Sequence, residues 1–110
     1  MAPEPPELTI RATDAGDTTT LVLEGEIDLL TSTQLNRELD TVLDRVPPPT
    51  RLRVDLAAVG FMDTTGVAVL LKARRRALEA GCRFTVKSAS PTIQRLLEIT
   101  GLASLLAEPG

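Results

Sequence analysis

The run Asp63-Thr64-Thr65-Gly66 places two adjacent hydroxyl groups directly after a carboxylate and directly before an apolar, helix-like pattern. Asp and Thr are favoured at helix N-caps, where their side-chain oxygens accept hydrogen bonds from free backbone N–H groups. A phosphate on one of these hydroxyls would also meet backbone donors and the positive end of the helix dipole. The pattern by itself favours a structural cap, and its surroundings make it the first candidate for chemistry.

A second acidic turn precedes the first predicted helix. Glu24, Glu26 and Asp28 follow one another at alternate positions near the end of the second predicted strand. The structural interpretation is that Asp28 caps or solvates a turn. If strands two and three are neighbours, however, Asp28 and Asp63 lie at the same edge of the sheet, where two carboxylates would flank a hydroxyl.

The composition excludes several classes of function. The 110 residues contain no His, Tyr or Trp, and the only cysteine is Cys82. An imidazole base, a His or multi-Cys zinc site and an internal disulfide are therefore excluded. The formal net charge of −3 and the lack of residues that stack on bases argue against nucleic acid. We expect a protein partner, a reducing cytoplasmic compartment, no cofactor and no enzymatic activity.

A small phosphotransfer enzyme is the alternative that the aspartates suggest. Asp28, Asp55 and Asp63 are suitable ligands for Mg²⁺, and Asp55 near a strand end is similar to a phospho-accepting aspartate. The stretch from Gly60 to Gly66 has the glycine spacing of a nucleotide loop. It lacks the Lys and Ser/Thr that such a loop requires, so a nucleotide site is not predicted.

Two further features have structural interpretations. The basic run Lys72-Ala73-Arg74-Arg75-Arg76 is typical of a solvated helix face, with contact to an acidic partner as the alternative. Cys82 alternates with apolar residues and is expected to be a buried thiol.

Sequence periodicity predicts the elements that position these groups, in the order ββαβαβα. Strands are predicted at Leu8–Thr13, Thr18–Glu24, Arg51–Leu56 and Cys82–Lys87. Helices are predicted from Thr31 to the prolines at 47–49, from about Thr65 to Ala80, and from Ser90-Pro91 to Gly101. Their apolar stripes are Leu35, Leu39, Val42, Leu43 and Val46; Val67, Leu70, Leu71 and Leu78; and Ile93, Leu96 and Leu97. Thr31-Ser32-Thr33-Gln34 predicts a capping box, and Ala57–Met62 a loop.

Each predicted strand is apolar on one face only, so we place the helices mainly on one face of the sheet. The predicted fold is α/β, of the α+β type, with a four-stranded mixed sheet whose first two strands are antiparallel. Residues 1–7 are predicted as a flexible leader, 8–106 as a single domain and 107–110 as a C-terminal tail. No apolar run approaches the length of a membrane span.

The sequence resembles the STAS-domain anti-sigma-factor antagonists over about Leu8 to Leu106. The resemblance is carried by Gly25-Glu26-Ile27-Asp28, Val54-Asp55-Leu56, Phe61-Met62-Asp63-Thr64-Thr65-Gly66, Ser90-Pro91 and Gly101-Leu102. Its most specific part is Phe61 to Gly66, which is similar to the phosphorylation turn of that family.

The resemblance implies a STAS fold and a partner-switching function. Members of the family bind a cognate anti-sigma factor that is also a Ser/Thr kinase and thereby release a sigma factor. Phosphorylation reverses this binding, and a PP2C-type phosphatase resets it. By position the phosphoacceptor is Thr64, with Thr65 as the second choice. The residues expected around it are Asp28, Phe61, Met62, Asp63, Thr65 and Gly66.

One residue type departs from the family pattern, because the usual acceptor is Ser and both candidates here are Thr. The extra methyl group stiffens χ1 and crowds the approach of a kinase. Some relatives, notably stressosome-type proteins, have Thr at this position. A stressosome-type or other STAS scaffold without a reversible switch is therefore the alternative function.

Overall fold

We describe residues 8–106 of the protein from a computed structural model. The predicted leader, residues 1–7, and the predicted tail, residues 107–110, lie outside the described residues. The strands are β1 (Leu8–Ala15), β2 (Thr18–Ile27), β3 (Arg51–Met62) and β4 (Arg83–Lys87). The helices are α1 (Ser32–Leu43), α2 (Thr64–Glu79) and α3 (Pro91–Ile99), followed by a 3₁₀ turn at Ala103–Leu106. The predicted order of elements is confirmed.

The strands form one mixed sheet in the order β1-β2-β3-β4. β1 and β2 are antiparallel, whereas β2, β3 and β4 run parallel to one another. Gly16 has a φ of +60° in the turn between β1 and β2, a conformation that glycine adopts without a Cβ clash. The predicted fold class and the antiparallel start of the sheet are confirmed.

The core lies between one face of the sheet and the helices. Leu21 and Leu23 of β2 are fully buried, whereas the alternate residues Thr20 and Val22 are only half-buried. Such alternation means that one face of the strand packs on the helices and the other faces away from them. The described part of the chain has no helix long and apolar enough to cross a membrane.

The stretch Ala57–Met62, predicted as a loop, is in fact the second half of β3. Between the paired positions Val22 and Glu24 of β2, β3 advances three residues instead of two, and it gains one more beyond Gly25. These two bulges make the inward residues of β3 recur every third position, at Leu56, Val59 and Met62. The period-two signal of a strand is therefore lost, which is why the prediction was wrong.

Helix α3 lies beside the part of β3 that β4 leaves unpaired. β4 pairs only with Arg51–Asp55 of β3. Farther along, residues 60–62 of β3 and residues of α3 line one groove of about 270 Å³. The predicted N-cap of α3 is confirmed, because the Ser90 side chain accepts a hydrogen bond from the backbone N–H of Ile93 at 3.3 Å.

The predicted capping box of α1 is wrong. Thr31 is the N-cap residue, but its side chain makes no capping hydrogen bond to the helix. Its hydroxyl instead donates to the carbonyl of Glu26 at 2.8 Å, which ties the helix start back to β2. A hydrogen bond to the end of β2, five residues earlier, has replaced the helix cap that the residue types suggested.

Three residues that the helical stripes placed in the core are exposed. Val46 is 95% exposed, because α1 ends at Leu43. Leu71 and Leu78 of α2 are 38% and 70% exposed. The buried line of α2 runs through small residues such as Ala73 and Ala77, and Leu78 is turned about 100° away from Ala77.

Candidate functional site

The ends of β2 and β3 bring the two acidic turns together. Ile27 is paired with Met62 at the last position of the ladder, and the Asp63 N–H donates to the Ile27 carbonyl at 3.1 Å. Asp28 and Asp63 are the residues that directly follow this junction. The expectation that they lie at the same edge of the sheet is confirmed.

Asp63 caps α2 and organises the turn. Its Oδ1 atom accepts hydrogen bonds from the backbone N–H groups of Thr65, at 2.9 Å, and Gly66, at 3.4 Å. The Thr65 hydroxyl donates to the same oxygen. This hydroxyl contact, together with the backbone donors, lowers the pKa of Asp63 below the ordinary value of an aspartate. The carboxylate is therefore ionised at neutral pH, as the structural interpretation of the motif requires.

The two candidate hydroxyls differ in availability. Thr64 is exposed, and none of the hydrogen bonds within the described residues involves its hydroxyl. Thr65 is half-buried, and its hydroxyl is engaged with Asp63. The two threonines are chemically identical, but they differ in exposure and in hydrogen bonding.

Asp28 shapes the loop between β2 and α1. Its Oδ1 atom accepts from the N–H groups of Leu30, at 2.9 Å, and Thr31, at 3.0 Å, and it also meets the Thr31 hydroxyl at 3.2 Å. The interpretation of Asp28 as a turn-capping residue is thus confirmed. Its position near the turn of Thr64 adds a negative charge to that edge.

Gly66 lets α2 approach the ends of β2 and β3 closely. A Cβ at this position would lie 2.7 Å from Cγ2 of Ile27 and 2.8 Å from Cγ of Met62. Met62 is a core residue, whereas Phe61 is 49% exposed beside the α3 groove. Of the apolar pair that precedes the turn, only Phe61 is available to a partner.

The aspartates do not assemble a metal site. Asp55 pairs with Val22 and Lys87 in the middle of the sheet, eight residues before Asp63, and its Oδ1 atom accepts from the N–H of Ala57 at 2.9 Å. Among residues 8–106 no group of three or more acidic or cysteine side chains is placed to hold a metal ion. The geometry gives no support to the phosphotransfer alternative built on these carboxylates.

The basic run of α2 has a partly structural role. Arg76 reaches across to α1, where it forms ion pairs with Asp40 and, at 2.5 Å, with Asp44. Cys82 is buried, as predicted, and burial raises the pKa of its thiol.

Sequence reasoning missed two exposed leucines at the site, Leu29 and Leu30 in the loop after Asp28. The available signal was their position, because two consecutive apolar residues stand between the end of a strand pattern and the start of a helix pattern. Such residues belong to neither periodicity and face solvent unless another molecule covers them.

Comparison with known proteins agrees with this fold. The family profile described as "Mlab, STAS domain" matches residues 10–107. The chain is 31% identical over 100 residues to the anti-sigma-B factor antagonist of Listeria monocytogenes, covering 91% of this chain and 83% of that protein. It is 26% identical, with a TM-score of 0.80, to the crystal structure of an anti-sigma factor antagonist from Mycobacterium paratuberculosis, over 91% and 83% of the two chains.

A further structural similarity concerns the fold alone. The anti-sigma factor antagonist SpoIIAA in its unphosphorylated form superposes with a TM-score of 0.78 at 20% identity, over 93% of this chain and 89% of that one. Its phosphorylated form superposes with a TM-score of 0.73.

The family profile and the relative from Listeria monocytogenes show that the chain belongs to the STAS-domain family of anti-sigma-factor antagonists. The relatives named here are regulatory factors.

Proposed function

We propose that this chain binds a cognate anti-sigma factor in its unphosphorylated state, releases a sigma factor by doing so, and is switched off by phosphate on Thr64. The observation that carries the proposal is the difference between two neighbouring hydroxyls. Thr64 is exposed at the start of α2, whereas Thr65 is tied to Asp63. The names of the related proteins supply the class of partner.

The charges around Thr64 explain how phosphate would act without refolding. A phosphate adds about 1.5 to 2 negative charges. It would stand next to the ionised Asp63 and near Asp28, and the backbone donors of the helix start are already bound to Asp63. Like-charge contacts and an uncompensated phosphate inside an interface cost several kcal/mol, equivalent to about a hundredfold or more in affinity.

The chain needs no catalytic group of its own for this cycle. An anti-sigma factor with kinase activity transfers the γ-phosphoryl group of ATP to the Thr64 hydroxyl, which loses its proton, and ADP leaves. A PP2C-type phosphatase then hydrolyses the ester with water and releases inorganic phosphate. The absence of His from the sequence is compatible with a non-enzymatic substrate and binding partner acting in the cytoplasm.

Binding and phosphorylation are measured with anti-sigma-factor kinases from the genome that encodes this chain. Affinity is determined by calorimetry for the wild type, Thr64→Val, Thr64→Glu and the protein phosphorylated with the kinase and ATP. We expect wild type and Thr64→Val to bind alike, because valine keeps the shape of threonine but cannot accept phosphate. The phosphorylated protein is expected to bind about a hundredfold more weakly or worse, with an unchanged circular dichroism spectrum.

Mass spectrometry then locates the phosphate. A modification confined to Thr64, and absent from Thr64→Val, supports the proposal. Unchanged affinity of the phosphorylated protein contradicts the switch. If the wild type acquires no phosphate at Thr64 or Thr65 from any of these kinases, the scaffold function is the better description.

A further inference from the structure

Leu29 and Leu30 form an apolar projection at the edge of the molecule that holds Thr64. Their exposed fractions are 72% and 77%, although leucine is among the residues most often buried. They follow Asp28, whose neighbour Ile27 is hydrogen-bonded through its carbonyl to the N–H of Asp63. A partner that covers the turn of Thr64 is therefore placed to reach both leucines.

The loop that carries the two leucines is fixed by hydrogen bonds on both sides of them. The Asp28 N–H donates to the Thr31 hydroxyl at 2.9 Å, and the Ser32 N–H donates to the Asp28 carbonyl at 2.8 Å. The Ser32 hydroxyl donates to the Leu29 carbonyl at 3.1 Å. A preformed loop loses little conformational freedom on binding, so its apolar side chains contribute more of their burial to affinity.

The charged side chains within the loop and within the turn are all acidic, and the cation Lys72 of α2 lines a neighbouring groove together with Ser32 and Thr33. Residues 21–36, which include the loop, contain three carboxylates and no Lys or Arg, and residues 54–71, which include the turn, contain two carboxylates and no Lys or Arg. Glu24 and Glu26 are exposed. A complementary partner surface would present Lys or Arg around an apolar pocket, and added phosphate would oppose other acidic surfaces still more strongly.

We propose that Leu29 and Leu30 are the apolar anchor of this chain for its anti-sigma factor, inserted into an apolar pocket that basic side chains border. This inference rests on the proposed function and assigns the source of its affinity. In this proposal the two leucines supply most of the affinity for the anti-sigma factor. Phosphate on Thr64 weakens that affinity through its charge.

The test measures binding of the same anti-sigma factor to Leu29→Ala, Leu30→Ala and the double variant. We expect each single change to weaken binding by about tenfold or more, mainly through faster dissociation. Leu78→Ala is the matched control, because Leu78 is 70% exposed but lies near the far end of α2. It should leave affinity unchanged. All four variants remove exposed side chains and should keep the melting temperature of the wild type.

A second measurement tests the basic border. Glu26→Gln should slow association and weaken the dependence of the association rate on salt, without changing the fold. The anchor is refuted if the leucine variants bind as tightly as Leu78→Ala while phosphorylation still abolishes binding. It is also refuted, in favour of a self-association surface, if the wild type forms dimers in sedimentation that the double variant does not. Failure of the wild type to bind any anti-sigma factor contradicts the proposed function instead.

Discussion

Gly66 determines how closely α2 approaches the strands that carry the site. A methyl group at this position would overlap Ile27 and Met62, both of which are buried. The glycine in the turn Asp63 to Gly66 is therefore required by packing, in addition to any contact it makes with a partner. The residue types around it suggested a cap, but only the tertiary contact shows why the position has no side chain.

We expect Gly66→Ala to lower the free energy of unfolding. Overpacking against Ile27 and Met62 costs about 1–3 kcal/mol, and the better helix propensity of alanine returns about 1 kcal/mol of it. The net loss expected in urea denaturation is thus up to about 2 kcal/mol. Gly60→Ala is the matched control, since a Cβ there meets nothing within 4 Å. Equal stability of the two variants would show that the contact at Gly66 is readily relieved.

One side chain of α2, that of Arg76, links this helix to α1. Arg76 joins Asp40 and Asp44, which lie one turn apart on α1 and at its end. Its own side chain is 30% exposed, and those of Asp40 and Asp44 are 36% and 67% exposed. Pairs at this level of exposure contribute modestly and are screened by salt. Arg76 links the C-terminal parts of α1 and α2, and the N-terminal ends of the same two helices lie at the candidate site.

Replacing Arg76 by Met, which keeps an apolar stem, should lower the free energy of unfolding by about 0.5–1 kcal/mol at low ionic strength. At about 1 M sodium chloride the difference from the wild type should nearly disappear. Arg75→Met serves as the comparison, because Arg75 is exposed and forms no ion pair with any residue of the described range. A loss that persists at high salt would mean that Arg76 contributes through packing instead of charge.

The reactivity of the buried Cys82 thiol can be used to measure unfolding of the whole molecule. Cys82 is the only cysteine and is 3% exposed, and burial raises the pKa of its thiol. Both effects suppress the thiolate that reacts with labelling reagents. We expect the native protein to react with a thiol reagent at least about a hundredfold more slowly than the chain in urea.

The labelling rate should also follow stability. If the thiol is exposed by global unfolding, Gly66→Ala raises the rate in the same proportion as it raises the unfolded population, and Gly60→Ala leaves it unchanged. Rapid labelling of the native wild type would instead indicate a local opening near the start of β4.

The sequence by itself determined the order of elements, the one-sided sheet and the turn Asp63 to Gly66, because alternation, helical spacing and capping residues are local properties of the chain. The second half of β3 was not predictable from periodicity, since its bulges are defined only by the pairing with β2. Val46 and Leu78 likewise follow a helical pattern but lie outside the core for reasons of helix length and orientation.

For the candidate site, too, some features were predictable from the sequence and others were defined only by the tertiary structure. Asp28, Asp63 and the two threonines were identified as candidates from residue type and order, and the role proposed for Thr64 came from a family resemblance. Only the tertiary structure showed that Thr64 and Thr65 differ in exposure and hydrogen bonding, and only it placed Leu29 and Leu30 on the surface. The physical reason is that exposure and hydrogen bonding depend on which strand ends meet, and that contact joins residues far apart in the sequence.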